Sequence, residues 1–404
     1  MNAYEPILKW VEGQGREMRD LAMDWAAVNS HTFNRSGIEQ MAVELLRAFS
    51  VLEGEARRSP MAPVTFIDKD GHPAEHALGD ALIIQKRPQV ENQVLLVCHM
   101  DTVYPADHHF QKVVDAGDGT VNGPGITDAK AGIVIMLKAL QALEKSPDAR
   151  GIGWTVIINA DEEIGSPSSL PLFSEYAPRY QFGLVFEPCL DNGNLVGARK
   201  GSANFTLTAA GRSAHAGRSF ADGRNAVDAL ARVIPQIGAL SGRRKGLTVN
   251  VGIMRGGTAT NVVPDQASAS CNIRFLKADD VEYFREKASK SAAAAMKDTG
   301  VKIVMEGNVS APPKLLEGKT LELFRHVQGC GRSLGVELGL EDSGGVCDGS
   351  RLQAAGLPVV DTLGARGGKI HSDGEFLLVN SLQQRAQLAA LVLLQWASGE
   401  WDLK

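Results

Sequence analysis

Two apolar runs that stop abruptly at charged residues limit what this chain can fold into more than any other feature. They are Val94-Leu95-Leu96-Val97-Cys98, followed by His99-Met100-Asp101, and Trp154-Thr155-Val156-Ile157-Ile158-Asn159, followed by Ala160-Asp161-Glu162-Glu163. Such runs, apolar without strict alternation, read as strands buried on both faces, which implies a mostly parallel sheet covered by helices. Their charged ends then emerge at strand carboxyl termini, where open α/β sheets place ligand sites.

The 404 residues, 44% hydrophobic and 22% charged, leave room for two folded domains and are too mixed for disorder. Lys and Arg number 42 against 47 Asp and Glu. A net charge of −5 gives no broad basic field for a phosphate backbone, so no nucleic-acid partner is expected. Five scattered cysteines without C-x-x-C spacing argue against a disulfide framework and a thiolate zinc site, and fit a reducing cytoplasm. The first residues lead into an amphipathic stretch and not a signal core, and no apolar segment approaches the ~20 residues of a membrane span. The expectation is a soluble, cytoplasmic protein with no membrane partner.

Helical periodicity covers residues 4–28, and a helix is expected over 37–49 with Ser36 as N-cap. Strands are expected at 64–67, 81–85, 94–98 and 154–159, with a helix over 131–143 between the last two, the alternation of an α/β fold. From about Lys200 the texture changes. Residues 203–209 and 267–275 alternate apolar with polar, hence an antiparallel sheet with one wet face. With a strand at 248–254, helices at 225–240 and 278–298 and an end near Val304, this is a β-α-β-β-α-β-like insertion. After a loop at 309–313, helix and strand resume through 321–334, 359–363 and 381–398. The expected fold is therefore an α/β domain with a mixed, mostly parallel sheet over 1–200 and 312–404, interrupted by an α+β domain over 201–311.

Single histidines and carboxylates are usually surface or capping residues; their joint placement is what points to chemistry. His99 and Asp101 stand two apart at a strand end, so Asp101 can orient the imidazole by accepting its second N–H. Asp128 sits in a glycine-rich turn that leads into a helix and lacks both G-x-G-x-x-G and G-x-x-x-x-G-K-[ST] spacing, which makes phosphate binding the weaker reading. It can bridge two cations or simply cap the helix. Glu162 and Glu163 place two like charges at the end of a buried strand, costly unless a cation compensates them. On a continuing strand they point in opposite directions, so one can ligate while the other reaches a reacting water as general base. A solvated acidic loop is the plainer alternative. Glu187 ends another short apolar run, and His371 follows the 359–363 strand. Two imidazoles and three carboxylates without thiolates suit zinc, or less specifically manganese or cobalt.

In order, His99-Met100-Asp101-Thr102, Gly123-Pro124-Gly125-Ile126-Thr127-Asp128, Asp161-Glu162-Glu163, Phe186-Glu187-Pro188, Ser213-Ala214-His215-Ala216-Gly217 and His371-Ser372 resemble the motifs of one zinc metallopeptidase family. It includes aminoacylase, acetylornithine deacetylase and succinyl-diaminopimelate desuccinylase, and the nearest branch is the bacterial glutamate carboxypeptidases. The resemblance runs over essentially the whole chain. It implies two Zn2+ per subunit, with Co2+ or Mn2+ as alternatives: one held by His99, Asp128 and Glu187, the other by Asp128, Glu163 and His371. It implies that Glu162 is the base that takes a proton from the attacking water and returns it to the leaving amine, that Asp101 orients His99, and that the peptide bond after Asp128 is cis. The insertion is implied to be a lid and dimerisation domain. There His215 would stabilise the oxyanion, often across the dimer, Asn261 would bind substrate, and Arg274 would grip a substrate carboxylate, roles their donors suit. Read without the resemblance, His215 is a turn histidine and Arg274 a sheet-surface charge. Two departures bear on the substrate: Asp128-Ala129 stands where the branch has two acidic residues, and Arg199-Lys200 is a basic pair found in only some relatives.

The expected function is dizinc-dependent hydrolysis of an amide bond in a small peptidyl or N-acyl amino acid, releasing a C-terminal Glu or Asp. Arg199, Lys200, Arg218 and Arg366 are the basic residues that favour this choice. An aminoacylase, deacylase or dipeptidase with another side-chain preference would share the site. A non-catalytic metal-dependent binding protein would have lost Glu162, His215 or a ligand, and all are present. A homodimer through the lid domain is the expected assembly.

Overall fold

The computed structural model describes residues 3–67 and 73–403. The apolar runs form the middle of a six-stranded sheet made of β1 (Glu55–Ser59), β2 (Ala81–Lys86), β3 (Gln93–His99), β4 (Gly153–Asn159), β5 (Phe182–Val185) and the short strand Val359–Val360. Across the sheet the order is β1-β2-β4-β3-β5 and then Val359–Val360. The first two pairings are antiparallel and the remaining three parallel. Parallel neighbours need a crossover, and between β3 and β4 the helix Ala131–Leu143 supplies it.

Every residue of β3 and β4 is buried. Alternate side chains serve two cores: Val94, Leu96, Cys98, Val156 and Ile158 join residues of the helices Ala131–Leu143 and Asn380–Ala397, while Leu95, Val97 and Ile157 join Phe173, Tyr176 and Leu352. A helix enclosed on all sides must be largely apolar, and in Ala131–Leu143 only Gln141 escapes burial, while the one charged residue, Lys138, pairs with Glu17 at 2.8 Å. Gly132 is dictated by close approach, since a Cβ there would lie 2.0 Å from the Phe186 carbonyl oxygen.

By its internal contacts the chain divides into two compact units: Met1–Gly197 with Leu315–Asp342 and Cys347–Lys404, and Ala198–Lys314 with Ser343–Val346. The second unit carries β6 (Gly201–Ala210), β7 (Thr248–Gly256), β8 (Gln266–Phe275) and β9 (Lys302–Ala311) in an antiparallel sheet of order β7-β8-β6-β9. Alternation sends Ala203, Phe205 and Leu207 of β6 and Ala269, Cys271 and Ile273 of β8 into one core with residues of the helices Ala226–Gly238 and Asp279–Thr299. At its neck Arg199 and Lys314 exchange two backbone hydrogen bonds, each 3.0 Å.

Departures from the expected elements have local causes. The first helix is two, Glu5–Glu12 and Gly15–Ala26, parted at Gly13-Gln14. The helix Arg35–Phe49 is capped by Asn34, whose side chain accepts the Gly37 N–H; Ser36 lies inside the first turn and bonds to the Asn34 oxygen instead. Residues 309–311, expected in a loop, belong to β9. Residues 361–363 leave the sheet as Thr362 turns to φ +64°. No helix among the described residues is long and apolar enough to cross a membrane.

Candidate metal centre

Three adjacent parallel strands end level with one another. His99 faces Asn159 across β3 and β4, and Val97 faces Val185 across β3 and β5. His99 and Asp101, the segment through Glu163, and Glu187 therefore leave the sheet side by side, joined by Asp128 and His371 from two loops. His99 Nε2 lies 3.2 Å from Asp128 Oδ1 and 3.8 Å from Glu187 Oε1. His371 Nε2 lies 3.3 Å from both Asp128 Oδ2 and Glu163 Oε2. Asp128 thus offers one oxygen to each imidazole. Ligand atoms of His99, Asp128 and Glu187, and of Asp128, Glu163 and His371, lie within 4.8 Å of one another in each group.

The turn after β4 differs from the extended arrangement expected. Glu162–Ile164 is a single 3₁₀ turn, so the two glutamates are not consecutive strand residues. Asp101, fully buried, organises it: its carboxylate accepts the Glu162 and Glu163 N–H groups, each at 3.2 Å, and the Thr32 hydroxyl at 2.7 Å. His99 meets Asp101 mainly through the backbone, with Nδ1 3.0 Å from the carbonyl oxygen and 3.4 Å from the carboxylate. That contact takes up Nδ1 and leaves Nε2 facing Asp128. Asp161 accepts the N–H groups of Ser168 and Ser169 and the Ser169 hydroxyl. The Asp128–Ala129 peptide is cis. His371 has φ +59°, a left-handed conformation that costs a non-glycine residue about 1–3 kcal/mol and is characteristic of functional sites.

Burial then sets the charge. The Glu162 carboxyl is pushed well above the usual range by burial first, with the charges of Glu187 and Asp348 adding. Glu163 rises to about 7, again through burial and then through Asp128. Burial opposes ionisation of Asp128 too, but hydrogen bonds from His371 and His99 outweigh it and hold the carboxyl below its ordinary value. Donating to the Asp128 and Glu163 carboxylates raises His371 to about 10. At His99, burial is overcome by Glu187 and the neighbouring carboxylates, and the ring is raised well above 6.5. The pocket draws positive charge between its carboxylates, which a divalent cation would supply. Glu163 Oε1 is buried without a hydrogen-bond partner among the described residues. The donor set of nitrogen and oxygen atoms fits zinc, manganese or cobalt, and the five cysteines, all buried, contribute nothing to it.

Two further buried carboxylates support this centre. Asp348 accepts from Asn159 Nδ2 at 2.8 Å and from the Ser166 hydroxyl, so it holds both ends of the turn that carries Glu162 and Glu163. Glu375 accepts from the loop that carries Asp128. A third group, His108, His109 and Asp373, is also close-set. There His108 Nδ1 accepts the Phe110 N–H, and His109 Nε2 lies 2.5 Å from Asp373 Oδ2 in an exposed contact.

In the second unit Ala214–His215 pairs with Val262–Val263, and the Ala216 N–H donates to the Asn261 carbonyl at 3.0 Å, so His215 and Asn261 share one ribbon. Arg274 is half-buried on β8, with Nε 3.0 Å from Asn272 Oδ1 and its pKa lowered by burial. Of the basic residues expected to influence specificity, Arg199 donates to the Gly345 carbonyl at 3.2 Å and Arg366 to the Asp191 carbonyl at 3.1 Å.

Residues 197–299 match the M20 peptidase dimerisation domain, and residues 81–213 match peptidase family M28. Carboxypeptidase G2 from Pseudomonas sp. (strain RS-16) is 27% identical over 332 residues, which cover 80% of this chain and 78% of that protein. The chain is a homologue of carboxypeptidase G2 with matches to M20 and M28 peptidase domains. It is a metallopeptidase, similar to carboxypeptidases and dipeptidases. The M20 architecture is equally plain from solved structures. A tripeptidase from Staphylococcus aureus has a TM-score of 0.77 at 23% identity, covering 95% of this chain and 99% of that one. A dinuclear metal-binding M20 peptidase from Bacillus subtilis has a TM-score of 0.67 at 15% identity, with the same coverage.

Proposed function

We propose that this chain is a two-metal exopeptidase that hydrolyses the amide bond of a small peptidyl or N-acyl amino acid and releases a C-terminal Glu or Asp. The observation that carries the proposal is the pair of ligand groups sharing Asp128, with Glu162 in the same 3₁₀ turn as Glu163. His99, Asp128 and Glu187 would hold one cation and Asp128, Glu163 and His371 the other, zinc by preference. When bound, such a pair lowers the pKa of water and polarises the scissile carbonyl. Glu162 takes the proton from the attacking water, and burial, by disfavouring its charge, makes it a strong base that then returns the proton to the leaving amine. Asp101 fixes the turn on which Glu162 acts. In the inserted unit, proposed here as lid and dimerisation domain over 201–311, His215 donates to the developing oxyanion in cis or across a dimer. Asn261 binds substrate, and Arg274, half-buried, takes its α-carboxylate. A monomeric mass in sedimentation at micromolar concentration would remove the dimer.

The test is amine release by zinc-reconstituted protein over a panel of N-acyl and dipeptidyl amino acids, with chelated protein and Glu162→Gln as controls. Metal-dependent cleavage concentrated on C-terminal Glu or Asp is expected, with Glu162→Gln keeping its metal and losing about 10²–10⁴-fold in kcat. Cleavage elsewhere in the panel would make the protein an aminoacylase or dipeptidase. Undiminished turnover by Glu162→Gln would remove that residue as the base.

A further inference from the structure

We infer that Glu375 is the positioning residue that fixes Asp128 relative to His371 and thereby sets the metal affinity of the centre; the inference rests on the two-metal reading above. Its side chain is fully buried and uses both oxygens. Oε1 accepts the Thr127 N–H at 2.9 Å and the Asp128 N–H at 3.0 Å; Oε2 accepts the Gly125 N–H at 3.0 Å and the Tyr104 hydroxyl at 2.8 Å. Three of the four donors are backbone groups of the loop that ends in Asp128. Their acceptor stands four residues after His371, in a loop that is itself tied down. The Glu375 N–H donates to the Ser372 carbonyl at 3.0 Å, and that carbonyl also accepts the Tyr104 hydroxyl at 3.1 Å. The Glu375 carbonyl accepts from Asn122 Nδ2 at 2.6 Å. One carboxylate therefore joins the backbone under one ligand to the backbone under another, and the 3.3 Å approach of His371 Nε2 to Asp128 Oδ2 depends on it.

Charge and acceptor count both matter to this brace. In Glu375→Gln the amide oxygen can keep Thr127 and Asp128, but the amide nitrogen then faces the Gly125 N–H, donor against donor. Flipping the amide sets two N–H groups against the nitrogen instead of one. Either way the Asp128 loop loses its register, while the ligating side chains are all still present.

Zinc titration of chelator-stripped protein against a chromophoric competitor reads the two stepwise dissociation constants without any turnover. Wild type is expected to bind two ions, and Glu375→Gln to bind at least one of them about 10–100-fold more weakly. Tyr104→Phe, which removes the hydroxyl that donates to Glu375 and to the Ser372 carbonyl but leaves the three backbone donors to Glu375 in place, is expected to weaken at least one step threefold or more, and it serves if Glu375→Gln does not fold. Val327→Ala, a buried cavity variant in the helix Gly318–Ser333, reports general loss of stability and should leave both constants within threefold. Unchanged constants in Glu375→Gln, or in Tyr104→Phe where Glu375→Gln does not fold, overturn the inference, as does equal weakening in Val327→Ala. Fewer than two ions bound by wild type would instead sink the two-metal reading, and the inference with it.

Discussion

Asp101→Asn preserves the shape of a buried side chain and removes one acceptor. In the wild type Oδ1 accepts the Glu162 N–H, while Oδ2 accepts the Glu163 N–H and the Thr32 hydroxyl. The amide oxygen should therefore take the Oδ2 position and keep two partners, leaving its nitrogen 3.2 Å from the Glu162 nitrogen, donor facing donor. A buried N–H deprived of its acceptor costs about 1–3 kcal/mol. Loss of negative charge at the start of the turn adds about 0.5 kcal/mol. Stability should fall by roughly 1.5–3.5 kcal/mol on these two terms. The strain is relieved by moving the Glu162 backbone away, and a displacement of about 1 Å in a reacting group costs about 10²-fold in rate. Steady-state kinetics at saturating zinc should then show kcat reduced about 10²-fold with KM little changed, because Asp101 is fully buried behind the turn. Urea unfolding of the same samples gives the stability. A kcat within threefold of wild type, alongside the expected stability loss, would refute the claim that Asp101 sets the position of Glu162. Unchanged stability would refute the hydrogen-bond accounting itself.

Two other perturbations probe the frame. Glu144 is held by Arg87 and Lys86, at 2.6 and 2.8 Å, and by the Trp154 indole at 2.9 Å. Burial alone would raise its pKa, but those bonds prevail and lower it from 4.5 to about 2. A depressed carboxyl contributes stability that is complete above its unfolded value and is lost as pH falls from about 4.5 towards 2. At about 1.36 kcal/mol per pH unit the loss approaches roughly 3 kcal/mol. Urea midpoints of the metal-free protein should drop more steeply over that window than those of Glu144→Gln, and parallel curves would contradict the assignment. Gly132→Ala should lose at least about 3 kcal/mol, because its Cβ would meet backbone and not a side chain that can swing aside. A near-wild-type denaturation midpoint would show that the helix is not seated as described.

The sheet and the site were unequally legible in the sequence. The buried strands declared themselves because nothing but burial explains the five consecutive apolar residues Val94–Cys98 and the near-continuous run Trp154–Ile158, and the helix Ala131–Leu143 carried its own length in its largely apolar run. Short-range competition was harder to read: Asn34 and Ser36 are both good caps, and only the geometry of the first turn gives the Gly37 N–H to Asn34. The 3₁₀ turn of Glu162 and Glu163 was not visible, because the group that bends it, Asp101, lies about 60 residues away. Asp348 and Glu375 left no signal for the same reason: their partners are 189 and 247 residues distant, and a lone carboxylate at a loop or helix start looks like any other cap. Legibility ended where a residue's role depends on what another part of the chain brings to it.

The paired backbone bonds between Arg199 and Lys314 bear on how such a chain reaches its native state. Pairing of β5 with Val359–Val360 joins segments of one sheet across the whole insertion, a contact whose loop entropy would ordinarily slow folding. If the inserted unit folds first, its ends are already clasped, and the roughly 115 residues between them drop out of the loop that remains to be closed. With each halving of loop length worth about 0.6 kcal/mol, shortening that loop from about 174 to about 60 residues saves roughly 1 kcal/mol. The insertion would then act as a folded staple that brings the sequence carrying His371 within reach of the strands carrying His99 and Glu187, and late assembly of the centre would become a local event.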